Sequence, residues 1–405
     1  MKKILILGAG VYQVPLIKRA KERGYYVIAA SNNQTDPGVK CADEFLNIDT
    51  MDKLNLLKYS ESTGIDGVTT TGTDVAVPSI GFICDTLQLP GISEYTANLA
   101  TNKIAMKSKF KEYNVPTPDF SVIKSNDELF KYAQNNGFPF VVKVPDSSGS
   151  RGLTIVNDFS ELDNAYNKAM GVSRSGLIIV EEYINGIEYI ANILIVNGKV
   201  SEAFIYNNIK TKPPVTVPIG TSCPSRLPLH IQHETVKVFN IVVKALKIKN
   251  AICNADVMLT DEGVKILEVG ARIGSVSSPE VIKLYYGVNL YDVALDLALN
   301  NIPHVQKECL KPAAYHIISS PESGLLRHQS FPCELLEDPN IISIDFDYPL
   351  NTPVRKFKTG PDRIGNIVVT GETSIAAENF AAQVLRSIRI EVEKNLPVRK
   401  DKTVV

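Results

Sequence analysis

The chain begins with an unbroken apolar run, Ile4-Leu5-Ile6-Leu7, closed by Gly8. Such a run, bounded by a glycine turn, predicts a strand buried on both faces. The period then changes. In "QVPLIKRAKERG" apolar residues recur at three- and four-residue spacing, which predicts an amphipathic helix stopped by Gly24. "YYVIAAS" reads as a second strand, "MDKLNLLKYSESTG" as a helix, "IDGVTTTG" as a strand and "AVPSIGFICDTLQLPG" as a helix ending in a Pro-Gly turn. Alternation of this kind implies a parallel sheet covered by helices, and residues 1–95 are expected to form one such α/β domain.

The pattern then becomes mixed. A helix, "TNKIAMKSKFKEYN", capped by Thr101 or Asn102, runs into "VPTPDF", whose two prolines make an extended connector. After a further strand come the helix "NDELFKYAQNNG", the strand "FVVKVP", a Gly-rich turn, the strand "LTIV", the helix "FSELDNAYNKAM" and the strand "LIIVEEYI". Long strands dominate from Ile190, with a hairpin predicted at Asn197-Gly198, residue types that accept positive φ. A helix follows from Ile231 to Leu246, then the strands "AICNADVMLT" and "VKILEVGARI", joined by Asp261-Glu262-Gly263. Short strands and Pro/Gly turns fill 310–371, a last helix is predicted over "SIAAENFAAQVLRSIRIEVEKN", and "RKDKT" reads as a frayed tail. No internal repeat is found.

Composition narrows the function classes. The formal net charge of -1 gives no electrostatic reason to expect nucleic acid or an anionic membrane as partner. No stretch approaches the ~18 apolar residues of a membrane span. The six cysteines are scattered without a C-x-x-C pair, so neither a zinc site nor a disulfide framework is indicated, and a cytoplasmic location is the default. The five histidines show no metal spacing.

Four stretches carry candidate chemistry. "GAGVYQVP" has two glycines of a dinucleotide fingerprint, Gly8 and Gly10, but Gln13 stands where the third should be. Asn32 and Asn33 end the second strand where an acidic residue would bind a ribose. It reads as a tight turn, or as a helix N-terminus facing a smaller ligand such as a carboxylate, with an NAD(P) site the alternative. In "VVKVPDSSGSRGL" a strand delivers Lys143 to a small, polar, Gly-rich stretch: Asp146, Ser147, Ser148, Gly149, Ser150 and Gly152. Its backbone N–H groups could turn onto phosphate oxygens as a nest, or form a plain hairpin turn. "VEEYINGIEYIANI" carries Glu181, Glu182, Tyr183 and Ile184 at a strand end and Glu188 after a short turn, which suits an adenine edge and a ribose, or a set of surface glutamates. In "NADVMLTDEGVKILEVGARIGS", Asp256 and Glu268 lie on adjacent apolar strands, where carboxylates are costly unless a cation joins them. Arg272 follows, placed either to steady an anion or to pair with Glu268. "AMKS", around Lys107, is similar to a biotin-attachment sequence but falls inside a predicted helix.

The order of these signals resembles the ATP-grasp superfamily, in particular carboxylate–amine (L-amino acid) ligases and their carbamoyl-phosphate-synthetase-like and biotin-carboxylase-like relatives. The resemblance runs from Gly8 to Gly371 and includes "TNKIAMKSKFKEYNVPTP" and "RIGNIVVTGET". It implies a pre-ATP-grasp parallel-sheet α/β domain (1–95), a linker helix and small ATP-grasp subdomain (96–188), a large subdomain with the metal site (189–310), and a strand-rich C-terminal part with a terminal helix (311–405). By the resemblance, Lys103 and Lys143 touch the ATP phosphates, and 146–152 closes over them. Glu181, Glu182, Tyr183 and Ile184 line the adenine, and Glu188 binds the ribose. Asp256 and Glu268 hold Mg²⁺ (or Mn²⁺), and Arg272 stabilises an acylphosphate and its tetrahedral adduct. One departure is plain: the family's Glu-x-Asn-x-Arg reads Glu268-Val269-Gly270-Ala271-Arg272 here, so a side-chain ligand is missing.

The implied activity is ATP-dependent ligation of a small-molecule carboxylate to an amine, releasing ADP and phosphate. A bicarbonate-activating carboxylase-like enzyme uses the same apparatus, and an NAD(P)-dependent oxidoreductase or a non-catalytic nucleotide-binding regulator remain rivals. Arg226, Ser275, Ser277 and Arg363 are candidates for the substrate side. The resemblance also allows a homodimer without locating an interface.

Overall fold

Ile4, Leu5, Ile6 and Leu7 are fully buried in the computed structural model of the protein, which describes residues 1–147, 149, 151–211, 217–274 and 278–394. They form the strand Lys3–Leu7, flanked in a parallel sheet by Tyr26–Ala30 and Gly67–Thr69, with Glu44–Leu46 at the edge. The run is apolar throughout because both faces are covered. Ile4 and Ile6 meet Leu16, Ile17 and Ala20 of the helix Val14–Glu22. Leu5 and Leu7 meet Val77, Ile80 and Ile83 of the helix Val77–Leu87.

The chain forms two compact units. The first comprises Met1–Ile205, Leu227–Gly274 and Tyr291–His304. Beyond the parallel sheet it holds a four-stranded antiparallel sheet in the order Phe120–Ile123, Ile178–Glu182, Phe140–Lys143, Thr154–Val156. The helices Asn126–Asn136 and Leu162–Met170 pack their apolar stripes on it. It also holds the long antiparallel strands Ile187–Val196, Ala251–Thr260 and Gly263–Gly270. The hairpin from Ile187–Val196 to Lys199–Lys210 turns on Asn197 (φ 51°) and Gly198 (φ 72°), both left-handed as a two-residue turn with matching twist requires.

The second unit comprises Tyr206–Arg226, Ser275–Leu290 and Val305–Val405. Its antiparallel strands run in the order Pro218–Cys223, Ala313–Ser319, Arg363–Thr370, Ile341–Phe346, against the helix Ser374–Ser387. The last helix is shorter than expected. It ends at Ser387, and Arg389–Glu393 is a strand paired with Gly324–Ser330. "RIEVE" alternates with period two, and Ile390 and Val392 reach the core while the intervening charges face out. Helices Glu94–Thr101, Ser278–Tyr286 and Leu290–Ala298 also lie outside the sequence expectation. Each has eight or nine residues, shorter than the ~12–15 at which helices stand alone, so packing stabilises them. Among the described residues no helix is long and apolar enough to cross a membrane.

Candidate functional site

Asn102 ends one helix and caps the next, its side chain accepting from the Ala105 N–H, so Lys103 stands in the first turn of Lys103–Glu112. The Lys103 backbone N–H donates to Pro145 O (3.0 Å). Its Nζ donates to Ser147 O (2.7 Å) and to Glu268 Oε1 (2.9 Å). One lysine thus joins the entry helix, the loop after Lys143 and the strand Gly263–Gly270. Burial opposes its charge most strongly, but Glu268, with Asp74 and Glu181, more than offsets it, and the Lys103 pKa lies above its ordinary value.

Glu181 lies in the strand Ile178–Glu182, between Phe120 and Val141 in register, and is 1% exposed. Its Oε2 accepts from Lys143 Nζ (2.7 Å) and lies 3.4 Å from Lys107 Nζ. Its Oε1 is buried with no hydrogen-bond partner. Burial pushes the Glu181 carboxyl up, and the two lysines more than reverse it, leaving the group below its ordinary value. Lys107 is also 1% exposed and donates to Thr117 Oγ1 at 2.7 Å. Burial draws its pKa down to about 8 against the pull of Glu181, with Lys143 adding to the fall. Two cations around one buried carboxylate, with its second oxygen unpartnered, leave net positive charge under the loop that follows Lys143.

In that loop the backbone turns through Gly149 (φ 68°) and Gly152 (φ 75°). A Cβ at Gly152 would come within 2.6 Å of Val144 Cγ2, so the close fold-back itself needs glycine. The carboxylate of Asp146 accepts the N–H groups of Ser175 (2.8 Å) and Arg174 (3.4 Å), stapling the loop to the next turn. Ser147 offers its carbonyl to Lys103, while its Oγ is buried without a partner. Ser148 and Ser150 lie outside the described residues.

Asp256 and Glu268 face one another across the pair Ala251–Thr260 and Gly263–Gly270. The same ladder sets Asn254 opposite Gly270, and Glu188 on the neighbouring strand opposite Met258. Side chains alternate across a strand. Asn254, Asp256 and Met258 are therefore half-buried on the open face while Ala255 and Val257 are buried in the core. Glu188 shares that open face. Glu182 is exposed, with its backbone N–H donating to Asp119 O (2.9 Å); Tyr183 is 36% exposed and Ile184 half-buried.

Two opposed carboxylates with hard oxygen donors, balanced by a lysine, fit a divalent cation such as Mg²⁺ that draws its remaining ligands from phosphate and water. No group of three or more His, Cys, Asp or Glu suited to a metal comes together among the described residues.

Arg272 does not pair with Glu268. Its Nη2 donates to Asp74 Oδ2 (2.7 Å) and its Nη1 to Ile273 O (3.3 Å). Asp74 lies in the turn after Gly67–Thr69, which is laced to the same segment: Thr71 bridges Ile273, and the Gly72 N–H donates to Ile273 O (3.1 Å). The opening glycine turn is filled from within. Gln13 is buried, its Nε2 donates to Thr71 O, and its Cδ would lie 2.9 Å from a Cβ at Gly8, whose φ is 101°. The glycines make room for Gln13, which favours the tight-turn reading over a pyrophosphate cradle.

Lys103, Lys143, Glu181, Glu188, Asp256, Glu268 and Arg272 all belong to the first unit. Arg226 and Arg363 belong to the second. Arg363 is 4% exposed and ion-paired with Asp347 (Nε–Oδ2 2.9 Å), while its Nη1 donates to Tyr315 OH. Arg226 pairs with Glu378 (2.6 Å). Ser275 and Ser277 lie outside the described residues. Lys107, Thr117 and Asp74 were not anticipated. Lys107 has a sequence signal, a lysine four residues after Lys103 and so on nearly the same helix face. Asp74 follows the C-terminal end of a parallel strand, where open α/β sheets place ligand groups.

Residues 108–275 match the family profile of the ATP-grasp domain, and residues 316–393 that of the L-amino acid ligase C-terminal domain 2. The chain carries an ATP-grasp domain. It is 26% identical over 325 residues to a phosphoribosylamine–glycine ligase of Lactococcus lactis, covering 75% of this chain and 76% of that one. Among solved structures, phosphoribosylglycinamide synthetase from Anaerococcus prevotii superposes with a TM-score of 0.79 at 28% identity, over 97% of this chain and 100% of the other. L-amino acid ligase from Bacillus licheniformis shares the fold, with a TM-score of 0.82 at 21% identity over 97% and 99%. Lys103, Lys143, Asp256 and Glu268 all lie within the first folded unit of this chain.

Proposed function

We propose that the protein joins a small-molecule carboxylate to an amine at the expense of ATP, through an acylphosphate. The observation that carries this reading is the linkage Lys143–Glu181–Lys107 beside Lys103–Glu268, with Asp256 across the ladder from Glu268. It provides fixed positive charge for a polyphosphate and two oxygens for a cation, both needed where phosphoryl transfer is catalysed by position and charge. MgATP supplies the phosphoryl group. Lys103 and Lys143 neutralise its oxygens, and the turn through Gly149 and Gly152 covers them and keeps water from the acylphosphate. Attack by the substrate carboxylate releases ADP. Attack by an amine on the acyl carbon then expels phosphate, and the amine gives up its proton as the amide forms. Arg272, with Asp74 as counter-charge, faces the oxyanion of that second step.

The C-terminal match to an L-amino acid ligase domain supports an amino acid or short peptide-like carboxylate, and the resemblance to phosphoribosylamine–glycine ligases supports the same class of bond. The test is ADP and phosphate release across pairs of amino acids with Mg²⁺, with bicarbonate and ammonia included and hydroxylamine as trap. An acyl hydroxamate formed with one carboxylate, together with stoichiometric ADP, is the expected result. ADP release with bicarbonate alone, and no hydroxamate with any carboxylate, would replace this reading by bicarbonate activation.

A further inference from the structure

Asp74 and residue 270 compete for one volume. A Cβ at Gly270 would lie 2.8 Å from Asp74 Oδ1, 3.3 Å from Arg272 Cζ and 3.4 Å from Arg272 Nη2. Residue 270 can carry a side chain only if Asp74, Arg272 or both move. The chain otherwise follows the Glu-x-Asn-x-Arg spacing and departs from it at this position alone. Gly270 has no turn to make: it is the last residue of a strand, opposite Asn254, and its φ is not in the left-handed region. The space it leaves is filled by the carboxylate of Asp74.

Little else holds that carboxylate. Oδ2 accepts from Arg272 Nη2, and Oδ1 is buried without a hydrogen-bond partner. A buried acceptor is costly to leave unmatched, so the position of this carboxylate rests on Arg272 and on the backbone that carries it. Arg272 depends on Asp74 in turn, since its remaining acceptor is Ile273 O at 3.3 Å and its Nε has no partner. The backbone around Asp74 is firmly placed. Gly72 and Thr71 are tied to Ile273, Gln13 to Thr71, and Asp74 O accepts the Val77 N–H at 3.1 Å as the next helix begins.

We propose that Asp74, delivered from the end of the first parallel sheet, is the residue that positions Arg272, and that Gly270 is the gap that admits it. The role of Arg272 rests on the ligase reading; the dependence of its guanidinium on Asp74 and Gly270 does not. The test therefore uses the full chain without substrate. Phenylglyoxal labels arginines, and peptide mass spectrometry follows the adduct at Arg272, with Arg23, paired to Asp296 at 2.7 Å away from the site, as internal reference. Asp74→Asn and Gly270→Ala are each expected to raise labelling of Arg272 by about tenfold, the change that ~1.4 kcal/mol produces, and to leave Arg23 unchanged. The double variant is expected to exceed neither single, because both act through one guanidinium. Unchanged labelling of Arg272 in both singles, an equal rise at Arg23, or additive effects would overturn the proposal. With a carboxylate–amine pair that turns over, both variants are expected to lower kcat/KM for the carboxylate and leave the KM of ATP unmoved. Failure to find any such pair would count against the ligase reading and leave the labelling result standing.

Discussion

Asp256 stands directly opposite Glu268, and the ladder slips by one residue immediately beyond them, between Asp256 and Val257. Like charges facing across a ladder repel by up to ~1 kcal/mol, and Lys103 at 2.9 Å from Glu268 Oε1 offsets this. A cation between the two carboxylates would relieve the rest. Asp256→Asn and Glu268→Gln are each expected to weaken Mn²⁺ binding, followed by electron paramagnetic resonance with a non-hydrolysable ATP analogue, by about ten- to a hundredfold. Wild-type Mn²⁺ affinity in both variants would remove the pair from the metal site.

Lys107 gives a pH dependence with a definite sign. Its folded pKa, about 8, lies below the ordinary 10.5 because burial disfavours the charge. Between these values the unfolded chain holds the proton more tightly, so stability from this group rises with pH from about 8 to about 10.5, and the cost of burying its charge is fully present below 8. In the folded protein the charge that Lys107 shares with Lys143 around Glu181 is lost as the pH rises through about 8. The KM of ATP is therefore expected to rise above pH 8 in the wild type, and Lys107→Met is expected to lack that limb. An identical alkaline limb in both proteins would assign the titration elsewhere.

Much of this was legible because periodicity and burial agree. The first strand, the Asn197-Gly198 hairpin, the Asn102 cap and the opposed Asp256 and Glu268 all follow from local pattern. The order of motifs, rather than any single one, pointed to ATP-grasp. What escaped is non-local. Asp74 and Arg272 are 198 residues apart, and their pairing depends on the turn after Gly67–Thr69 meeting Ile273. Arg272 could equally have been assigned to Glu268, four residues away, and only the fold decides between partners. The partners of the Asp146 carboxylate are likewise non-local: it accepts from Arg174 and Ser175, which return to the loop through an intervening helix. The terminal strand Arg389–Glu393 was hidden because "RIEVE" continues directly from a strong helix.

Glu181 anchors two lysines, so its removal should damage stability as well as binding. Deleting one member of a buried charge cluster leaves the others uncompensated, at a cost of about 3–5 kcal/mol. Glu181→Ala is expected to lower the urea midpoint without changing the slope of the transition. Glu181→Ala combined with Lys107→Met should recover part of that loss, because one uncompensated charge goes with it. If the double variant is less stable than the single by the full cost of Lys107→Met alone, the two groups are not coupled.

Gln13 connects the opening turn to the segment that carries Asp74. Its side chain occupies the space over Gly8 and holds Thr71 O, immediately before the Gly72–Asp74 segment that meets Ile273 and Arg272. Gln13→Ala removes that bond and leaves a buried carbonyl short of a donor, at ~1–3 kcal/mol. The Asp74 turn then loses a support while Lys103, Lys143 and Glu181 keep theirs. The expected outcome is a higher KM for the carboxylate substrate with the KM of ATP unchanged, and no change in NADH fluorescence on titration with either protein. Unchanged KM values for both substrates would separate the turn from the site. Saturable NADH binding would reopen the dinucleotide reading of Gly8 and Gly10.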